Sequence, residues 1–67
     1  MKQYKFVEPE ETRDQLVKVL VRGLERSLTD QEAKTIHWLS QCEYETRGVI
    51  TDLFKEMLER IEYYKED

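Results

Sequence analysis

The stretch SLTDQEAKTIHWLSQ, residues 27–41, decides how the rest of the chain is read. Its first half is a helix start. The hydroxyl of Thr29 has the spacing to accept from the backbone N–H of Glu32, while the Glu32 carboxylate reaches back to the N–H of Thr29. Asp30 and Glu32 then lie at the positive end of the helix dipole. Its second half carries Ala33, Ile36 and Leu39 on one face, so the spacing predicts a helix over about 30–41. A start signal this sharp in mid-chain leaves one segment before it and one after it, each long enough for a further helix.

The segment after it has the strongest period. Val49, Ile50, Leu53, Phe54, Met57, Leu58 and Ile61 recur at three- and four-residue intervals and predict a helix over about 44–64. Lys55 with Glu59, and Glu56 with Arg60, have the i,i+4 spacing of exposed ion pairs. Either Ser40-x-x-Glu43 or Thr46 caps its start. Gly48 then falls in the first turns, where it admits the close approach of another backbone or is a weak spot in the helix. Tyr64 continues the Met57–Ile61 stripe toward the core, whereas Tyr63 lies off it.

The segment before residue 27 reads as a helix over about 10–26. Pro9 suits a first turn, and Thr12-x-x-Gln15 has capping-box spacing. Leu16, Val17, Val19, Leu20, Val21 and Leu24 give it an apolar face wider than one neighbour can cover. Gly23 either ends this helix as a left-handed cap or sits inside it at a cost of about 1 kcal/mol. Over residues 1–8, Tyr4 and Phe6 alternate with Gln3 and Lys5. That is half a strand without a partner in a helical chain, so it reads as an extended arm laying both aromatics on the helices. The expected fold is all-α, a compact three-helix domain spanning 1–67 with a short extended N-terminal arm.

Composition agrees. The chain has 67 residues, 39% hydrophobic and 39% charged, with two Gly and one Pro, which excludes collagen-like and linker-like classes. A domain this short buries only about 60% of the surface its unfolded form exposes. The longest apolar stretch, Leu16 to Leu24, is broken by Lys18 and Arg22, so no membrane partner is expected. Cys42 stands alone and cannot form an internal disulfide, and Met1 to Pro9 lacks the apolar run of a signal peptide. Both point to a cytoplasmic protein.

Chemistry is sparse. His37 is the single histidine, and its i,i+5 spacing to Cys42 points the two side chains about 140° apart on a helix, unlike zinc ligands. Ser40 lies three residues from His37, but no Gly-rich turn supplies an oxyanion hole. No catalytic, metal or cofactor residue and no small-molecule ligand is expected; the chain does not read as an enzyme. Trp38 points nearly away from Ile36, and tryptophan is enriched at interface hot spots, so Trp38 and Tyr63 are the candidate contacts. Residues 1–26 hold six Lys/Arg against five Asp/Glu, and residues 27–67 hold five against ten. The acidic half, through Glu56, Glu59 and Glu62, is the candidate docking charge for a basic partner. Lys18, Arg22 and Arg26 form a basic stripe in the first half, with Asp14 and Glu25 as local counter-charges. The wide apolar faces of the first and third helices exceed what three helices hide, which implies self-association as a homodimer or docking on a larger protein.

Two resemblances follow from these residues. Leu28-Thr29, Glu32, Thr35-Ile36, Trp38-Leu39 and Glu45-Thr46, within residues 28–54, resemble small phage- and prophage-encoded proteins of Gram-positive bacteria, a likeness that implies no known activity. Gln3-Tyr4-Lys5-Phe6-Val7, then Pro9 and an amphipathic helix with Gly23 near its end, resembles the strand and first helix of the ribbon-helix-helix family of dimeric repressors. That likeness implies a dimeric DNA-binding transcriptional regulator, with Gln3, Lys5 and Val7 on groove-facing positions and the basic stripe behind them. The chain departs from that family in placing Val7 where a polar reader is usual, in its long link from Gly23 to Thr29, in a third helix and in its acidic balance. The leading expectation is a small non-enzymatic protein-binding module, regulatory or inhibitory; the DNA-binding regulator is the alternative.

Overall fold

The computed structural model describes residues 3–65, so Met1 and Lys2 of the expected arm and the acidic Glu66 and Asp67 lie outside the described residues. Helix α1 runs Pro9–Leu24, α2 Asp30–Ser40 and α3 Tyr44–Lys65, and among the described residues no strand forms. The expected all-α, three-helix domain is present. No described helix is long and apolar enough to cross a membrane.

The helix starts have local causes. Pro9 takes the first helical position of α1, where its missing N–H costs nothing, and Glu10 and Glu11 follow in the first turn. Thr12 therefore falls one turn inside the helix and is buried, so it does not cap as its spacing to Gln15 suggested. Gly23 does not end α1 either. The left-handed residue is Glu25, at φ 57° and ψ 37°, with its N–H donating to the Val21 carbonyl at 2.9 Å. A non-glycine residue there costs about 1 kcal/mol, and the Glu25 carboxylate bonds Lys65 of α3. Helix α2 opens on the full capping box: the Glu32 N–H donates to Thr29 Oγ1 at 3.1 Å and the Thr29 N–H to Glu32 Oε1 at 2.9 Å. At the start of α3 neither Ser40 nor Thr46 caps. The Glu43 carboxylate accepts from the Glu45 N–H at 3.2 Å.

The helices lie in one layer. Helix α1 packs against both others, whereas α2 and α3 scarcely touch beyond the short Gln41–Glu43 connection. The links Gln15–Lys55, Arg22–Glu62 and Glu25–Lys65 advance together along both chains, so α1 and α3 run parallel. The Cα envelope measures 38 × 34 × 13 Å, and its radius of gyration is 12.5 Å, against roughly 11 Å for a rounded domain of this length. Among the described residues the buried apolar core is Leu16 and Ile36. Ala33, expected beside Ile36, is exposed, and Leu39 is half-buried.

Candidate interaction surface

The single layer has two unlike faces because α1 does. Glu11, Lys18 and Arg22 lie opposite Leu20 and Leu24 at 100° per residue. On the polar face the α1–α3 seam is laced. Lys55 Nζ donates to Gln15 Oε1 at 3.1 Å, Arg22 Nε lies 2.7 Å from Glu62 Oε2, and Lys65 bonds Glu25. On the other face the same seam is open. Leu20, Leu24 and Phe54 line two grooves at once: one of about 380 Å³ completed by Leu28, Gln31, Glu32, Thr35 and Ile36, the other of about 70 Å³ completed by Val19, Gly23, Met57, Leu58 and Ile61. Glu32 is the one ionisable side chain among these linings. It is held by both Arg26 guanidinium nitrogens at 2.8 and 2.9 Å. That fork, then the Thr29 N–H, draws the Glu32 carboxyl down to about 2.

The apolar surface continues past the grooves along α3. Val49, Leu53 and Met57 follow one another at four-residue spacing, and Leu53 is 61% exposed. Tyr64, expected in the core, is 71% exposed. It belongs to the Leu53–Met57 flank of α3 rather than to the Thr51–Leu58 line that faces α1, and it stacks edge-on against Tyr63 at 5.3 Å between centroids.

At the opposite end, the layer is shut by Arg47. This side chain is only 4% exposed, and its Nη1 donates to the Ser40 carbonyl at 2.8 Å and its Nη2 to the Val7 carbonyl at 2.5 Å. It thereby satisfies the C-terminal end of α2, where a cation also suits the dipole, and fastens the arm to α3. Phe6 lies over the guanidinium at 5.3 Å and meets Tyr44 edge-on at 6.3 Å. Tyr4 packs against Gly48 so closely that a Cβ there falls 2.6 Å from its ring. The arm does lay both aromatics on the helices, and what Gly48 admits is an aromatic ring rather than a backbone. Arg47 carried no signal as a site residue by residue type. Its position did: 47, 51, 54 and 58 form the line of α3 that faces inward, and an arginine on such a line needs buried acceptors.

The candidates read from the sequence fall in different places. Trp38 is 65% exposed on the outer side of α2, and Cys42 Sγ lies 3.8 Å from its carbonyl. Glu56 and Glu59 are exposed and share a shallow concavity with Arg60, Tyr63 and Tyr64, whereas Glu62 is tied to Arg22. Lys55 turns to Gln15 instead of Glu59. The basic stripe is dispersed: Arg26 has left α1 and pairs with Glu32, Arg22 pairs with Glu62, and Lys18 is exposed. Asp14 lies beside Arg13 and Glu25 beside Lys65, so neither serves the stripe. Gln3 and Lys5 are exposed on the docked arm. The Ser40 hydroxyl donates to the His37 carbonyl at 2.6 Å, not to the imidazole. Among the described residues no three His, Cys, Asp or Glu side chains gather as a metal site. The chain matches no protein-family model, no curated protein and no solved structure.

Proposed function

We propose that this chain is a non-enzymatic protein-binding module, regulatory or inhibitory in action, that works by applying its apolar face to another protein surface. The observation that carries the reading is the imbalance between core and surface. Among the described residues two apolar side chains are buried, while Leu24, Val49, Leu53 and Met57 stand exposed beside grooves lined mainly by apolar side chains. Exposed apolar patches of this kind mark interaction sites in soluble domains. A phage-encoded origin, as the likeness of residues 28–54 suggests, and a cytoplasmic setting, as the lone thiol of Cys42 suggests, both suit such a module. Trp38 and the Glu56–Glu59–Tyr63 edge supply a second contact off the grooves, and any electrostatic docking rests on Glu56 and Glu59, since Glu62 is engaged. The duplex-binding alternative is weakened because Arg22 and Arg26 already hold carboxylates.

The test compares the wild-type chain with Leu24→Glu/Met57→Glu as immobilised bait. Both positions are exposed, so the monomer tolerates the charges. A protein retained by the wild type and lost from the double variant supports the reading. Equal retention by both chains sinks it, and salt-sensitive binding of a DNA duplex would restore the alternative.

A further inference from the structure

We propose that the surface applied to this apolar face is a second copy of the chain, the two faces closing on each other as a two-layer, six-helix dimer. This rests on the protein-binding reading and names its partner.

Three observations converge on self-pairing. A helix that is apolar along one stripe must bury it, and stable domains do so with two packed layers. This chain supplies one layer, 13 Å thick across its Cα atoms. Area gives the second argument. The chain exposes 5539 Å², whereas a folded monomer of its mass exposes roughly 4,500 Å². The surplus, on the order of 1,000 Å², matches the roughly 800 Å² per partner that a stable pair removes from water. Charge gives the third. The chain carries a net −4, yet the groove linings hold one ionisable group, Glu32, already neutralised by Arg26. Two copies therefore meet on this face without juxtaposing like charges.

The contact is isologous, with each patch meeting its own copy across a two-fold axis. Leu20, Leu24 and Phe54 line both grooves and so mark where that axis passes; Met57 and Leu53 of one protomer project toward the wider groove of its partner. Trp38 and Tyr63 lie off the grooves and stay outside the pair.

The test is the solution mass of the full chain by sedimentation equilibrium across a hundredfold dilution, beside Leu24→Glu and Trp38→Ala. The expected wild-type mass is twice 8.2 kDa. Leu24→Glu raises the dissociation constant by about a hundredfold or more, because two carboxylates are buried unpaired, while helical circular dichroism persists. Trp38→Ala leaves the mass unchanged. If Leu24→Glu fails to fold, Met57→Glu on the other helix gives the same reading. A wild type that remains at 8.2 kDa throughout overturns self-pairing, as does a dimer broken by Trp38→Ala and not by the groove variants. In the monomeric case a solvatochromic dye separates the two ideas. Dye binding abolished by Leu24→Glu keeps the protein-binding reading, and no dye binding removes both.

Discussion

The two glycines of the chain sit near opposite ends of the α1–α3 pair, and their surroundings differ in kind. Gly48 is covered: Tyr4 lies on it, and Arg47 beside it ties the arm and α2 to α3 through two backbone carbonyls. Gly23 is half-buried as well, but it borders the open apolar groove instead of an arm. A Cβ there meets Leu58 Cδ1 at an ordinary 3.6 Å, and the groove beside it is lined by apolar side chains. One end is closed within the chain by the Arg47 hydrogen bonds to two backbone carbonyls. The other is finished within the chain only on its polar face. The contrast shows where the chain closes its own fold and where it leaves apolar surface open.

Breaking the closed end has the largest expected effect. Arg47→Ala leaves the Ser40 and Val7 carbonyls without their donor and opens a cavity under Phe6. The cost is about 3 kcal/mol, enough to lower the melting temperature of a domain this small by roughly 10 °C or more. Arg47→Lys does not rescue, since a single ammonium lacks the fork that spans two carbonyls. Thermal melts of both variants check this; a shift under about 2 °C for Arg47→Ala would show that the latch is ornamental to the fold.

Alanine at the two glycines sharpens the comparison. Gly23 is helical, without positive φ, and has room for a methyl group. Gly23→Ala therefore stabilises by about 0.5–1 kcal/mol through helix propensity and a less disordered unfolded state. Gly48 is equally helical, but its added Cβ displaces the Tyr4 ring, so the propensity gain is offset by loss of the arm contact. The melting temperature rises for Gly23→Ala alone, and only Gly48→Ala makes residues 3–7 sensitive to limited proteolysis. Equal gains at both positions would mean that Tyr4 does not hold the arm.

Much of this was legible in the residues. The Thr29–Glu32 box and the four-residue period of α3 are local signals, settled by atoms within one turn, and both appear as read. The width of the apolar faces also foretold surplus exposed hydrocarbon. What failed was whatever depended on the neighbouring helix. Tyr64 continues the Met57–Ile61 stripe, but that stripe spans more than the side facing α1. Gly23 is the residue type that ends helices, yet α1 ends two residues on, where the Glu25 carboxylate reaches Lys65, 40 residues away. Arg26 has the four-residue spacing of a helical stripe with Lys18 and Arg22, but the turn delivers it to the next helix's cap. Ion-pair choice is set by tertiary position, which spacing along one helix does not encode.

The turn at the open end is held by charge. Glu32 binds Arg26 with both oxygens and accepts the Thr29 N–H. Its carboxyl lies at about 2, below the ordinary 4.5, first because of Arg26 and then because of the Thr29 backbone. A carboxyl depressed on folding contributes stability that is complete above its unfolded value and is lost as pH falls through its folded one. The contribution from Glu32 is therefore whole above pH 4.5 and fades toward pH 2. Glu32→Gln keeps an acceptor for the cap but removes the charge. Its melting temperature lies modestly below wild type at pH 6, and the gap closes over that acid window. The Arg47 latch ends on backbone carbonyls, which do not titrate, so the exchange protection of amides 29–32, taken against their intrinsic rates at each pH, falls on acidification before that of Arg47 and Thr51 does. A gap between Glu32→Gln and wild type that stays constant from pH 6 to pH 2 would mean that the cap, and not the charge, holds the open turn.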